Sequence, residues 1–585
     1  MNRRDRRAGA RKAPTPSSHP STAATPATLH EAGARHLRAG QHLDAQICCQ
    51  QALALDANHA DSLHLMGLLS FQSGQYDHAA EWLVRAIRQD PRPEFLASLG
   101  LTLRQQGRNE EAFKVFDKAL QLKPREWDVA RECGISLHKL GRPEDAHAWF
   151  DLCNEIRPND FASLYLRSRN LFDLGRLEEA LADARQAHRL NPAEPGICSH
   201  IGVILRSLGR NEEALQRYDR ALALAPNSVE ALNNKALLLS QMHRFDEAFA
   251  TYARAKALAP DNAEIDWNLG HLHMLTGNFE AGWAGLEARW KKAPGPIYPP
   301  FPQPKWLGEG PIEGKTILVC SDEGLGDFIQ FARYIPMLAA RGARVILFVP
   351  DQISSLIAGL PGVSECFPFS GRTLPAFDMH CPVSSLPLAF GTRLETVPAA
   401  TSYLARPAEA RVQAWEDRLG THHRLRVGLV WAGNPNHKND RNRSIPLHLL
   451  TRILDGDATF VSLQKDLRPS DNVVLRERAD IIDLTAHLGD FTETAALISC
   501  LDLVVTVDTS VAHLAGALGC PTWILLPYTP DYRWLLDRDD SPWYPTVRLF
   551  RQDETRDFET VLDRVRSELL TLIANPIVIP GSSQR

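Results

Sequence analysis

Prolines at Pro91, Pro124, Pro158, Pro192, Pro226, Pro260 and Pro294 recur at one step of 33 and then five of 34, and no other feature constrains this chain's fold as much. Glycines Gly40, Gly74, Gly107, Gly141, Gly175, Gly209 and Gly277 keep the same period, with His243 standing in once. Five residues after each comes a small residue: Ala45, Ala79, Ala112, Ala146, Ala180, Ala214, Ala248 and Gly282. Between these marks the pattern is helical; "EEALQRYDRALALAP" places Ala214, Leu215, Tyr218, Ala221 and Leu222 on one face. The glycine lets two antiparallel helices turn tightly and the alanine lets them approach. The proline ends the unit because it cannot continue a helix. A single hairpin cannot bury its own apolar face, whereas stacked neighbours can. Residues 26–296 therefore predict an α-solenoid of eight units.

The pattern resembles the tetratricopeptide repeat family over residues 26–296. The resemblance implies a concave face that holds an extended peptide, a partner or a protein acceptor. Alternatively, the array only scaffolds the second half or joins two copies into a homodimer. The last unit departs from the pattern, with Gly282 at the alanine position and Trp283 and Trp290 added, and is expected to dock on the next domain. Polar residues vary freely from unit to unit, so this half suggests no catalytic group.

At 585 residues the chain exceeds one core, and a net charge of −5 argues against a general nucleic-acid footprint. Residues 1–25 begin with Arg3, Arg4, Arg6, Arg7, Arg11 and Lys12 and continue in Pro, Ser, Thr and Ala. They are expected to form a disordered basic tail without the apolar segment of an export signal. Residues 576–585 are expected to be a second disordered tail. Ten scattered cysteines with no CxxC spacing favour a reducing compartment, and the expected location is cytoplasmic. The most apolar stretch, 501–527, is broken by Asp502, Asp508 and His513, so no membrane span is expected.

The 34-residue period stops at a Pro/Gly-rich linker, residues 297–314. Short β-branched runs then alternate with helical segments, as in parallel α/β sheets. Strands are predicted at 316–320, 345–349, 426–431, 459–463, 503–507 and 522–526. Helices are predicted at 327–341, 408–419, 446–454, 491–500, 510–518 and 557–573. Residues 315–405 and 406–575 would each make a Rossmann-like lobe, the second carrying the donor site, and the pair describes a GT-B architecture. Such sheets bind ligands at the carboxyl ends of their strands, so the loops after 316–320, 426–431 and 503–507 should carry the chemistry.

In the first of these loops, "SDEGLGDFIQFARY", Gly324 and Gly326 permit a close turn at a helix start. Asp327 in the first helical turn could accept a proton from an attacking hydroxyl, or simply complement the helix dipole. The loop "VDTSVAHLAGALG" offers the Thr509 and Ser510 hydroxyls and N–H groups to a diphosphate, Asp508 to sugar hydroxyls, and His513 either to the ligand or to the core. The polar loop 431–447 holds Lys438 and Arg443, which could offset charge on a departing nucleoside diphosphate or remain solvated. "GEGPIEGKT" fails as a phosphate-binding P-loop, because five residues separate Gly308 from Gly314 and a strand follows it. The triplets Asp455–Gly456–Asp457 and Asp537–Arg538–Asp539 read as solvated turns, so no metal site is expected.

"EGLGDFIQFARYIP" and "DTSVAHLAGALGCPTWILLP" resemble the signature segments of the heptosyltransferase-like glycosyltransferases, family nine, across roughly 315–550. The resemblance implies an inverting, metal-independent transfer from a nucleoside diphosphate sugar, a donor substrate and not a cofactor. It matches Asp327 to the general base and Asp508, Thr509, Ser510 and His513 to the donor-diphosphate loop, with Lys438 the nearest counterpart of a phosphate-binding lysine. The family's ribose-holding acid has no clear equivalent; Gln464 or Lys465 lies nearest. A repeat scaffold with a degenerate nucleotide-binding domain is the alternative.

Overall fold

The structure, a computed structural model, describes residues 24–292, 300–371, 373–437 and 439–575. Most of the expected basic tail, Pro294, the start of the linker and the tail 576–585 lie outside those residues. The chain forms two compact units, one ending at Ser228 and the other beginning at Val229. The division does not fall where the repeats end: six helix pairs belong to the first unit and the last two belong with the α/β part, among the described residues.

In the first unit the pairs run from Pro26–Arg38 with His42–Leu55 to Pro195–Ser207 with Asn211–Leu224. Each interior proline sits two residues past its helix, as Pro124 does after Leu122 and Pro226 after Leu224. Turn glycines have left-handed backbones, such as φ +76° at Gly209, and a Cβ there would meet nothing within 4 Å. Backbone conformation alone therefore selects glycine at these turns. The small residues Ala45, Ala79, Ala112, Ala146, Ala180 and Ala214 are fully buried between paired helices. A second periodic column becomes visible only in the packing. Cβ atoms on Gly67, Gly100, Gly134 and Gly202 would come within 2.5–2.6 Å of Leu83, Phe116, Phe150 and Tyr218, each sixteen residues further on. These glycines make room for a large side chain, a different job from that of the turn glycines.

The second unit opens with the pairs Val229–Gln241 with Phe245–Leu258 and Ala263–Leu275 with Phe279–Leu286. The first lobe comes next, a parallel sheet of β1 (Thr316–Cys320), β2 (Arg344–Val349), β3 (Val363–Pro368) and β4 (Met379–Pro382) in the order β3-β2-β1-β4. The second lobe is a parallel sheet of β5 (Leu425–Val430), β6 (Ala458–Ser462), β7 (Ile481–Asp483), β8 (Leu503–Val507), β9 (Thr522–Leu526) and β10 (Val547–Arg551). Its order, β7-β6-β5-β8-β9-β10, is that of a dinucleotide-binding fold. The six expected strands are present, and β3, β4, β7 and β10 are additional. Three of these four are short or only half buried, so they lack the long apolar run that marks a buried parallel strand.

Strand order reverses between β1 and β4 in one lobe and between β5 and β8 in the other. Helices diverge to opposite faces at such points and leave a crevice at the strands' carboxyl ends. One continuous core joins the last repeat to both lobes, running from Met274, Phe279 and Trp283 through Phe331 to Trp534, Trp543 and Tyr544. Trp283, the added tryptophan, donates its indole N–H to the Thr392 carbonyl of the first lobe at 2.9 Å. The helix Phe558–Ala574 buries Val561, Leu562, Val565 and Leu569 against the second sheet. Among the described residues no helix is long and apolar enough to cross a membrane.

Candidate functional site

From β1 the chain passes Ser321–Gly324 into the helix Leu325–Phe331, and from β8 it passes Asp508–Thr509 into the helix Ser510–Ala517. The two helix starts meet. A Cβ on Gly326 would lie 2.9 Å from His513 Cδ2 and 3.3 Å from Ser510 Cα, so a larger residue would hold the lobes apart. Neither Gly324 nor Gly326 adopts the left-handed backbone; their value here is space. At Gly324 that space is filled by Asp327, whose Oδ2 accepts the Gly324 N–H at 2.8 Å and so caps the helix.

Asp327 Oδ1 accepts a hydrogen bond from Arg533, a residue the sequence reading did not single out. Arg533 lies in the turn Tyr532–Trp534 after β9 and is buried, with Asp531 Oδ1 2.8 Å from Nη1 and Gln330 Oε1 on Nε. Burial works against its charge, but Asp531, Tyr532, Asp327 and Glu323 hold its pKa well above the ordinary value. An arginine inside a lobe interface leaves no periodicity in the sequence. The aromatic neighbours Tyr532 and Trp534 in "YRW" read as core.

His513 faces inward. It is 5% exposed, its Nδ1 lies 2.9 Å from the Tyr544 hydroxyl, and its ring stacks on Trp534 at 5.4 Å. Burial, with Arg533 nearby, pushes its pKa down to about 3, so it is a neutral core residue supporting the helix start. Asp508 is half buried, and burial followed by Asp531 raises its carboxyl to about 6. Its carbonyl accepts a hydrogen bond from Arg443 Nη1 at 3.0 Å. Arg443 packs against Gly433, where a Cβ would come 2.5 Å from Nη2. Thr509 is the residue preceding the Ser510 helix, with its hydroxyl 3.3 Å from that of Thr506. The Ala512 N–H donates to the Thr509 carbonyl at 3.0 Å, and helix geometry leaves the Ser510 and Val511 N–H groups without partners inside the helix. Lys438 lies outside the described residues. At its neighbour His437, partial desolvation, followed by Arg443, lowers the pKa against the opposing pull of Asp531, Asp440 and Asp327.

Gln464, one of the two residues nearest the family's ribose-holding acid, is committed to the backbone. Its Oε1 accepts the Trp431 and Ala432 N–H groups at 3.2 and 2.9 Å, and its amide donates to the Asp466 carbonyl at 3.1 Å. Lys465 donates to the Gly489 carbonyl at 3.0 Å. The last repeat also reaches the site. Arg289 Nε donates to the buried Asp322 at 3.0 Å, and its Nη2 donates to Ser385 Oγ at 2.6 Å. Carboxylates therefore lie at the first lobe's strand ends, opposite hydroxyls, helix N–H groups and guanidinium groups on the second, which also holds Asp508 and the Arg533-paired Asp531. Such a set can accept a proton on one side and hold an anion on the other.

The tetratricopeptide repeat models match residues 64–126, 97–161, 202–243 and 229–262, and the glycosyltransferase family 9 (heptosyltransferase) model matches residues 474–560. The chain is 26% identical over 339 residues to Protein FlbA of Caulobacter vibrioides, covering 52% of this chain and 54% of that protein. It thus spans about half the length of that curated relative. Among solved structures it resembles a tetratricopeptide repeat protein from Parabacteroides merdae at 18% identity, covering 39% of this chain and 91% of that one, with a TM-score of 0.37. A second, YrrB, described as a repeat protein with an unusual peptide-binding site, is 22% identical over 32% of this chain and 97% of its own, with a TM-score of 0.30. The chain thus carries tetratricopeptide repeats and a family-nine glycosyltransferase domain, and the latter supports glycosyl transfer in general.

Proposed function

We propose that this protein moves a sugar from a nucleoside diphosphate donor to an acceptor hydroxyl, with inversion and without a divalent ion. The acceptor is a protein recruited on the concave face of the repeats. One observation carries the reading: the carboxylate loop of the first lobe and the helix start at Ser510 meet at the two switch points, close enough that Gly326 admits no side chain. The Ser510 helix start, Thr509, Asp508, Arg443 and Lys438 hold the diphosphate and its sugar. A carboxylate of the 322–327 loop takes the acceptor's proton. His513 contributes through packing.

Nucleotide release and thermal stabilisation of the full chain, read with UDP-, GDP-, TDP- and ADP-sugars in EDTA, test this. At least one donor should bind and turn over, and chelation should not change the rate. If none raises the melting temperature or releases nucleotide, the reading fails. A second reading, a scaffold with a degenerate domain, is favoured by Asp327, both of whose oxygens are occupied. It requires donor binding without turnover by any acceptor, water included.

A further inference from the structure

The loop after β9, "LPYTPDYRW", carries Asp531 and Arg533 to the lobe junction, and the last two helix pairs hold it at two places. The first hold is the turn between Val229–Gln241 and Phe245–Leu258. The Gln241 carbonyl accepts Thr529 Oγ1 at 3.0 Å and Arg556 Nη2 at 2.8 Å. The His243 ring stacks on Tyr528 with centroids 4.0 Å apart and planes within 13°, and the Arg556 guanidinium sits 5.1 Å from the same tyrosine ring. The second hold is on Tyr532, which His271 of Ala263–Leu275 meets edge-on at 5.7 Å and Trp283 meets edge-on at 6.0 Å.

Between these holds the loop has little freedom. Pro527 and Pro530 bracket Tyr528 and Thr529 and fix two backbone angles, so a displacement at Tyr528 carries to Asp531. The Tyr528 N–H donates to Gln552 Oε1 at 3.0 Å, and the Gln552 amide donates to the Arg556 carbonyl at 2.9 Å, tying the loop to the chain beyond β10. Strained backbone gathers here too. Of the five non-glycine residues with left-handed φ among the described residues, His243, Leu535, Asp537 and Arg556 belong to this contact or to the turn after Trp534. Such angles persist where surrounding contacts dictate the conformation, and they gather where position matters to function.

We propose that His243 is a positioning residue for the transfer, holding Tyr528 so that the β9 loop delivers Arg533 to Asp327. This rests on the transferase reading above. His243 touches no reacting atom; it acts through Tyr528 and then Arg533. The other seven units turn on glycine, so folding of the repeats needs no ring at this place. The ring serves the lobe it touches.

Arg533 donates to Asp327 and Gln330 of the first lobe and to Asp531 of its own loop, so its place sets how the carboxylate loop stands against the second lobe. The groups that hold the donor lie on the loops after β5 and β8. A shift of the β9 loop should therefore slow turnover more than it weakens donor binding, because the reacting groups lose alignment while the anion site stays built.

The test uses the full chain, the four nucleotide sugars and water as acceptor, and measures kcat, donor KM and melting temperature. It compares wild type with His243→Gly, His243→Phe, Tyr528→Leu and the double variant His243→Gly with Tyr528→Leu. His243→Gly restores the residue of the other turns and relieves the backbone angle, so its melting temperature should stay near that of wild type. Its kcat should nevertheless fall on the order of 10-fold, with donor KM little changed. His243→Phe keeps the ring and should keep most of the turnover even if it melts earlier. Tyr528→Leu should slow turnover at least as much as His243→Gly, and the double variant should be no slower than Tyr528→Leu. His243→Gly turning over like wild type, His243→Phe as slow as His243→Gly, or losses that multiply in the double variant would overturn the assignment while leaving the transferase intact. Wild type that turns over no nucleotide sugar would sink the transferase reading and this assignment with it.

Discussion

Glycines in the repeat turns and glycines at the lobe junction answer to different physics. Gly209 has φ +76° and open space around the missing Cβ, so a single backbone angle, set locally, explains the residue. Gly326 has an ordinary backbone, and what excludes a side chain there is Ser510 and His513, far along the chain. His243 sharpens the contrast. It takes the left-handed turn at φ +56°, which glycine fills in the other units, and spends the side chain stacking on Tyr528 at 4.0 Å. A local rule was broken where a tertiary contact compensated.

The largest effect should come from the junction. Arg533→Ala strips buried partners from Asp327, Asp531 and Gln330 and should cost about 3–5 kcal/mol in denaturant unfolding. A loss as small as that of a surface arginine would show that the junction is not held by this residue. Acid should come next. The folded pKa of His513, about 3, lies below its ordinary 6.5, so between those values the unfolded chain takes up a proton that the folded chain refuses. Stability should fall as pH drops through that window, by up to about tenfold in the folding equilibrium per pH unit. A His513→Gln chain with the same acid sensitivity would contradict this.

Within the repeats the effects should be smaller. Gly202→Ala drives a Cβ to 2.6 Å from the Tyr218 ring and should cost about 1–3 kcal/mol. Pairing it with Tyr218→Leu should recover much of the loss if crowding is the cause. Gly209→Ala meets no atoms and should cost about 1–2 kcal/mol through its backbone angle alone. No second-site change in a neighbouring side chain should rescue it. Equal rescue of both variants would erase the distinction between space and dihedral. For comparison, the exposed Arg210–Glu213 pair should be removable without a measurable shift in melting temperature.

Legibility divides along the same line. Turn glycines, packed alanines and terminating prolines could be read because each acts within one hairpin and the hairpin repeats. The column of Gly67, Gly100, Gly134 and Gly202 was equally periodic, but its meaning depends on which face the next helix presents. In the α/β part, Val505 and its neighbours announced β8 by a β-branched run interrupted only by Thr506, whereas the three-residue β7 carried too little signal. The loops bearing Asp327, Arg443 and Ser510 could be located because strand ends are where parallel sheets bind ligands. Which side chains in them remain open could not.

The order of residues by itself determined the solenoid, the parallel sheets and the three loops at their strand ends, because these arise from periodicity and backbone chemistry over short distances. Tertiary structure alone decided that His513 is buried, that Arg533 occupies Asp327, and that Arg289 reaches across from the last repeat. Those assignments depend on electrostatics and packing between segments that meet only after folding, and no local pattern encodes such a meeting.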